Sequence, residues 1–207
     1  MGSVEGIRHQ IAIAGQVANA QTGKGMEGVR VEITAAPAVF TNFLKLRQIQ
    51  FENWEAMAER PDRTRTAADG SFRFLDLPNG QYTLTASLPG AGSRYGVAEA
   101  RVTVARDANE RITRAAATIA LPPTTLKGRI KAEGGGDLQL AEVRVKGSGE
   151  RAFSDVEGKY LLAGLEKGER TVLVSAQGFK TKSHNVTLGQ AGSVQTLDVT
   201  LSKPPQS

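Results

Sequence analysis

The chain alternates apolar and polar residues in short segments along most of its 207 residues. In the stretch 66–87, Phe72 and Phe74 fall on one face of a strand, and a second alternating run follows the turn 77–80. That turn reads Leu-Pro-Asn-Gly, in which proline presets one dihedral angle and Asn-Gly accepts positive φ. Similar alternation predicts further strands at 11–17, 29–33, 97–104 and 112–121. The pattern is typical of a sandwich or barrel of short strands.

The pattern begins again after residue 121. The segment LKGRI from Leu126 repeats IAGQV from Ile13 at an offset of 113, and 157–165 repeats 69–77 at an offset of 88. Self-similarity of this kind indicates a duplicated structural unit. Two copies of one β-sandwich are therefore expected.

The first copy holds a segment that the second copy lacks. Matching Val143 to Val29 gives an offset of 114, against 88 further along, so 26 extra residues precede Asp69. These residues have helical rather than strand periodicity, and prolines bracket them. We predict an amphipathic helix from about 39 to 60, within a helical insertion at about 38–60.

The predicted helix carries most of its apolar residues on one arc, with Arg47 and Ile49 as exceptions. This face either packs on the first sandwich or provides a docking surface for another subunit, because aromatic residues are favoured as interface anchors. The candidate partner-binding residues are Phe40, Phe43, Leu44, Phe51, Trp54 and Met57.

Consecutive prolines mark the boundary between the copies, because they cannot lie inside a strand ladder. The predicted organisation is an N-terminal tail at 1–9, a sandwich at 10–121, a Pro-rich linker at 122–125, a second sandwich at 126–202 and a C-terminal tail at 203–207.

Both copies resemble the carboxypeptidase regulatory-like domain. The family's opening I-x-G-x-V lies at 13–17, its G-V-x-V strand at 28–31, and its T-D-x-x-G-x-F-x-F-x-x-L-x-x-G-x-Y-x-L segment at 66–84. The first copy has Ala67 where the family prefers aspartate, and the second has Arg170 in place of the later tyrosine.

The resemblance implies an all-β protein of two tandem seven-stranded Ig-like or prealbumin-like β-sandwiches, the first with an inserted amphipathic helix. The family also implies a non-catalytic, adhesive or architectural role. By analogy with related surface adhesins, Lys127 and Asp198 are the one pair placed for an isopeptide cross-link, but the assisting acid is replaced by Leu162-Ala163-Gly164.

The composition narrows the classes of partner that we expect. The net charge is +5, but the basic residues are scattered and no aromatic residues are interleaved with them, so no nucleic-acid partner is expected. No apolar run approaches the ~20 residues of a transmembrane helix. The first residues lack a secretory signal pattern, which predicts residence in the cytoplasm, with incorporation into a released or envelope-associated particle as an extension.

Catalytic patterns are missing from the sequence. Only His9 and His184 could serve as histidine ligands or bases, and no zinc motif or G-x-S-x-G elbow accompanies them. The run 134–136 lacks the lysine and hydroxyl of a phosphate loop, and no D-x-D-x-D-G calcium loop is present. We therefore predict no catalytic, metal-binding or cofactor-binding residues and no enzyme activity.

These observations predict a non-enzymatic structural or adaptor protein that docks with other protein subunits of a larger assembly. Family analogy suggests a phage-tail-like or contractile injection particle as that assembly. The alternative is a module that binds polysaccharide or another surface ligand, because the loops and faces of sandwiches carry such sites. The oligomeric state is left open.

Overall fold

The computed structural model describes residues 9–58 and 60–205. The predicted N-terminal tail, except His9, and the last two residues of the C-terminal tail lie outside the described residues. The chain forms two compact units, the first extending to Gly90 and including Val97–Leu121, the second comprising Ala91–Gly96 and the chain from Pro122 onward. Strands dominate both units, which confirms the all-β prediction.

The first unit is built from two facing sheets. The strands are β1 (Ile11–Asn19), β2 (Arg30–Ala35), β3 (Arg63–Arg65), β4 (Ser71–Leu75), β5 (Gly80–Ser87), β6 (Ala98–Arg106), β7 (Ile112–Thr113) and β8 (Ala115–Leu121). One sheet has the order β4-β1-β8, with β1 antiparallel to β4 and parallel to β8, and the other has the order β3-β2-β5-β6-β7. Phe72 and Phe74 are both buried between the sheets, as the alternation predicts.

The second unit repeats this topology. The strands are β9 (Thr125–Ala132), β10 (Glu142–Val145), β11 (Arg151–Phe153), β12 (Lys159–Ala163), β13 (Gly168–Ser175), β14 (Lys182–Leu188), β15 (Val194–Thr196) and β16 (Val199–Leu201). One sheet has the order β12-β9-β15, with β16 also pairing with β9, and the other has the order β11-β10-β13-β14. Strand β9 is antiparallel to β12 and parallel to β15 and β16, as β1 is to β4 and β8.

The register of the repeat differs from the sequence match at one strand. Val31 pairs with Ala86, and Val143 pairs with Val174, which is the residue 88 places after Ala86. Val143 therefore corresponds to Val31 and not to Val29, and the insertion is 24 residues long rather than 26. A shift of two residues preserves which side chains face the core, so alternation alone could not detect it.

The chain enters β2 and β10 through matching turns. Gly28 has a φ of 71° and Leu140, at the corresponding position, has a φ of 58°. Glycine adopts this left-handed conformation without penalty, whereas a leucine there is uncommon. Because no glycine marks the second turn, the match between the two copies in sequence is displaced by two residues at this point.

The inserted segment contains a shorter helix than predicted. Helix α1 spans Ala38–Gln50, Phe51 is extended, and a single 3₁₀ turn follows at Trp54–Ala56. A helix continuing to residue 60 would be about 33 Å long and would carry Trp54 straight onward along its axis. Ending the helix at Gln50 instead allows Trp54 to turn back and become buried.

The predicted linker residues 122–125 lie in the second unit. Thr124 and Thr125 are both fully buried, and β9 begins at Thr125. The Thr124 hydroxyl donates to the Ser93 carbonyl at 2.7 Å and accepts the Gly192 amide N–H at 2.7 Å. Hydrogen bonds within the second unit therefore hold this segment in place.

Candidate functional site

The six predicted partner-binding residues fall into three groups in the structure. Phe40 and Trp54 are buried, Leu44 and Met57 are half-buried, and Phe43 and Phe51 are exposed. Phe40 and Trp54 therefore pack against the protein itself, as one alternative predicts, and docking stays a prediction for the exposed residues. One group anchors the insertion, and the other remains accessible.

Phe40 anchors α1 to the first sandwich. Its ring contacts the Tyr82 ring edge-on, with 5.9 Å between centroids, and stacks on Phe43 at 6.2 Å. Tyr82 is buried, its hydroxyl donates to the Pro78 carbonyl at 2.7 Å, and burial raises its pKa to about 12. An aromatic pair of this kind adds about 0.5–1.5 kcal/mol beyond its buried area.

Arg60 fixes the far end of the insertion. Its guanidinium lies over the Trp54 ring, 4.9 Å from the centroid, and its Nε and Nη2 donate to the two Asp62 carboxylate oxygens at 3.0 Å each. The Arg60 side chain is only 7% exposed. A bidentate pair combined with a cation–π contact defines the position of Trp54 closely.

Arg63 ties the same segment to strand β2. Its Nη1 donates to the Glu55 carbonyl at 3.0 Å and to the Met57 carbonyl at 3.3 Å, and its Nε donates to the Glu32 carboxylate. Glu32 lies on β2. The segment after α1 is therefore hydrogen-bonded to the sheet, and α1 is held at both ends.

A row of apolar side chains on α1 remains exposed to solvent. Val39, Leu46 and Ile49 are 70%, 64% and 83% exposed, and Phe43 lies between the first two. Val39, Phe43 and Leu46 have the i, i+4, i+7 spacing by which a helix presents one face to a groove. We call these four residues the exposed ridge.

Sequence reasoning identified only Phe43 among the four ridge residues. Leu46 and Ile49 are apolar but are not among the predicted binding residues, and Ile49 is an exception to the predicted arc. The available signal is the recurrence of apolar residues at Val39, Leu46 and Ile49. The spacing shows a second face but cannot show which face the sandwich covers.

The charge of α1 is entirely positive. The helix contains Lys45 and Arg47 and no acidic residue. The Arg47 guanidinium lies 5.4 Å from the Phe43 ring centroid and 5.8 Å from that of Phe51. The exposed ridge is therefore flanked by cations, one of which covers aromatic rings.

A groove of about 680 Å³ runs beside the ridge, between α1 and β4. Phe40 and Phe74 contribute to its floor, and Arg73 lies on its border. Among the residues that the structure describes, the Arg73 guanidinium has no hydrogen bond or ion pair. The groove adds apolar surface and one more available cation to the exposed ridge.

Asp76 is among the residues that line the groove. Burial raises its pKa, but the hydrogen bonds from the Gln10 amide and the His9 ring and the charge of Arg106 outweigh burial and hold the pKa below its usual value. His9 therefore contacts Asp76 rather than standing alone in a tail.

The histidines and acids considered in the sequence form no metal site within 9–58 and 60–205, where no group of three or more His, Asp or Glu could hold a metal ion. Asp198, considered for a cross-link, accepts the Arg129 backbone N–H at 2.8 Å. In the described part of the chain, no helix is long and apolar enough to cross a membrane.

The family was tested by comparison with known domains. The sequence model of the carboxypeptidase regulatory-like domain matches residues 12–117 and 125–202, which together make up most of the chain. The chain belongs to the carboxypeptidase regulatory-like domain family. The two matches confirm the resemblance in both copies, and the first match runs across the insertion.

Several solved structures are similar to this chain at low identity. The shaft pilin SpaA from Lactobacillus rhamnosus GG is 12% identical, with a TM-score of 0.44, over 97% of this chain and 100% of that chain. The Bacillus anthracis TIE protein is 14% identical, with a TM-score of 0.37, over 94% and 34% of the two chains. No curated protein matches the chain in sequence.

A mutant type II cohesin–X-dockerin complex from Acetivibrio cellulolyticus is also similar, at 15% identity and a TM-score of 0.32. That match covers 37% of this chain and 56% of the other, so little more than half of the other chain is represented. At such identities and TM-scores these likenesses carry no argument about function.

Proposed function

We propose that the protein is a non-enzymatic docking module and that helix α1 of its first sandwich binds a partner protein through the exposed ridge. The observation that carries this proposal is the exposure of Val39, Leu46 and Ile49 on a helix anchored at both ends. Family membership supports it, because the carboxypeptidase regulatory-like domain is a non-catalytic fold.

The free-energy argument starts from the cost of exposed apolar surface. Fully burying one Val, Leu or Ile side chain contributes about 1.5–3 kcal/mol relative to leaving it in water. The ridge places several such side chains in a row on one short helix. Because α1 is already fixed by Phe40 and Arg60, little additional ordering is required when a partner covers the ridge.

The proposed partner is a different protein that has an apolar groove flanked by carboxylates. Lys45, Arg47 and Arg73 supply cations around the ridge, and α1 has no acid of its own. Two copies of α1 facing each other would bring like charges together, which is unfavourable. Charge complementarity therefore favours an acidic partner over a second copy of this chain.

We propose the partner only at this level, as a protein with an apolar groove flanked by carboxylates. None of the similar structures described above is a phage-tail or injection-particle protein, so those finer assignments are not part of the proposal. The cytoplasmic location likewise stays a prediction from the sequence.

The test is site-specific photo-cross-linking in the cells that make the protein. A photoreactive residue at Ile49 is expected to capture one protein, through an apolar segment with acidic neighbours. The control position is Gln48, which is exposed on another face of α1. The purified partner should then bind L46E about tenfold or more weakly than wild type.

Three results would contradict the proposal. These are equal capture from Ile49 and Gln48, capture of this chain itself, and unchanged affinity of the purified partner for L46E.

A further inference from the structure

The second sandwich has a cationic outer sheet face. Lys127, Arg129 and Lys131 occupy alternate positions of β9, so they share one side of the sheet at spacings of about 6.6 Å. Lys159 of β12 joins them around an open cavity of about 900 Å³. This face lies wholly within the second unit.

Two of the four cations on this face are available, while Lys159 forms an ion pair with Glu157 and Arg129 has two acidic neighbours. Among the residues that the structure describes, the Lys127 and Lys131 side chains have no hydrogen bond or ion pair. Arg129 Nε lies 3.8 Å from Asp137 Oδ1, and Arg129 Nη2 lies 3.9 Å from Glu157 Oε2. The Arg129 side chain is 38% exposed. Exposed pairs at such distances contribute little to stability, so an anionic ligand can compete for Arg129.

The same face carries acceptors. Asp155 uses Oδ1 to accept two backbone N–H groups at 2.9 Å, and Asp198 uses Oδ1 to accept the Arg129 N–H at 2.8 Å. In the described part of the chain, the second oxygen of each carboxylate accepts no hydrogen bond. Both acids therefore retain an oxygen that can accept from a ligand hydroxyl.

Apolar surface completes the arrangement. Phe153 is 54% exposed, Leu161 is 43% exposed, and both line the cavity. An exposed aromatic ring beside charged and polar groups suits a ligand that has an apolar ring face and a polar edge.

The first sandwich shows that the fold does not need these charges. Ile13 pairs with Phe74 as Leu126 pairs with Leu162, so β1 and β9 are in matching register. The β1 residues at the places of Lys127, Arg129 and Lys131 are alanine, glutamine and alanine, namely Ala14, Gln16 and Ala18. The same scaffold thus forms without these three charges.

We propose that the outer face of the β12-β9-β15/β16 sheet binds an acidic polysaccharide. The basic side chains bind its carboxylate or sulfate groups, Asp155 and Asp198 accept from its hydroxyls, and Phe153 and Leu161 cover the apolar face of a sugar ring. A nucleic acid fits less well, because its densely spaced phosphates would meet the two aspartates.

The test is calorimetric titration of the full chain with four probes: oligogalacturonate for carboxylates, dextran sulfate for sulfates, neutral dextran and single-stranded oligothymidylate. The key variant is K127A/R129Q/K131A, which installs the residues of the first copy. The matched control is K146A/K167A/K180A, which removes the same charge from exposed positions that do not line the cavity.

Wild type is expected to bind at least one acidic glycan and to bind neutral dextran and oligothymidylate more weakly. The key variant should lose about tenfold or more in affinity and the control less than about twofold. The preferred glycan identifies carboxylate or sulfate as the recognised group. The proposal is overturned if neither acidic glycan binds, if both variants lose affinity equally, or if oligothymidylate binds more tightly.

Discussion

The two sandwiches solve the same folding problem with matching hydrogen bonds. In the first, the Thr66 hydroxyl accepts the Val29 N–H at 2.9 Å and donates to the Met26 carbonyl at 2.5 Å. In the second, the Ser154 hydroxyl accepts the Ala141 N–H at 2.9 Å and donates to the Leu138 carbonyl at 2.5 Å. The hydroxyl joins two segments in both units, which explains why both copies place one at this position.

The copies reach a second common contact with different side chains. The Tyr82 hydroxyl donates to the Pro78 carbonyl at 2.7 Å, and the Arg170 Nε donates to the Glu166 carbonyl at 3.2 Å. Each donor lies four residues after its acceptor. Arg170 therefore provides the hydrogen bond of the missing family tyrosine, but not its buried ring.

The copies differ on their surfaces. The first has α1 and the exposed ridge, whereas the second has neither but carries the cationic sheet face. The shared residues maintain the fold, and the unshared residues provide the surfaces to which we assign recognition. This division predicts which substitutions change stability and which change only binding.

The largest expected effect is a difference in stability between variants of Tyr82 and of Arg170. Y82A removes a buried ring that contacts Phe40, so the first unit should lose about 3–5 kcal/mol of unfolding free energy, the range for truncation of a buried aromatic residue. R170A removes a partly exposed donor and should cost the second unit about 1 kcal/mol. Hydrogen exchange of β5 and β13 amides in the full chain measures each unit separately. Equal losses of unfolding free energy in the two units would contradict the expected difference between Tyr82 and Arg170.

The next prediction concerns the paired hydroxyls. T66V and S154A should each lower the stability of their own unit by about 1–3 kcal/mol, because each leaves a buried backbone N–H without its acceptor. The exposed Thr103, changed to valine, serves as the control. Hydrogen exchange near Val29 and Ala141 reports the losses. A clear effect in one unit only would show that the two hydroxyls are not equivalent.

The smallest expected effect is a pH dependence of the second unit. Hydrogen bonds from the Ser93 hydroxyl and backbone N–H lower the Glu166 pKa from its ordinary value of 4.5. A lowered carboxylate pKa contributes stability that is present above the ordinary pKa and is lost as the pH falls through the folded-state pKa. The first copy has Pro78 at this position, so its stability should not share this contribution.

Thermal unfolding of the full chain between neutral pH and pH 3 measures this contribution. E166Q should reduce the acid-induced loss of stability in the second unit, and E169Q, an exposed neighbour, serves as the control. An unchanged pH profile in E166Q would contradict the role of Glu166.

The sequence predicted the framework well because the core of a sandwich follows a simple alternation. Phe72, Phe74, Tyr82 and Leu84 are all buried, as their period of two requires. The same period of two allowed Val143 to be matched in sequence to Val29 instead of Val31. Only the backbone pairing of β10 with β13 resolves that mismatch.

The candidate site was less predictable because it depends on where a helix ends. Phe51 and Trp54 fit a continuous helical arc, but the chain turns extended at Phe51 and the 3₁₀ turn redirects Trp54 into contact with Arg60. Phe51 at the C-cap and Glu52 after it are not the glycine or asparagine that typically ends a helix, so the sequence does not mark that end. The side of α1 that faces solvent was therefore set by tertiary contacts that the helical period does not encode.

The central claim is that the exposed ridge of the first sandwich joins the protein to a partner. The most direct measurement is the native mass of the chain after gentle lysis of the cells that make it, compared among wild type, L46E and Q48E. We expect wild type and Q48E in one larger complex and L46E as the free chain, since both variants add the same charge to α1. Wild type recovered as a free chain, or L46E retained in the complex, would contradict the claim.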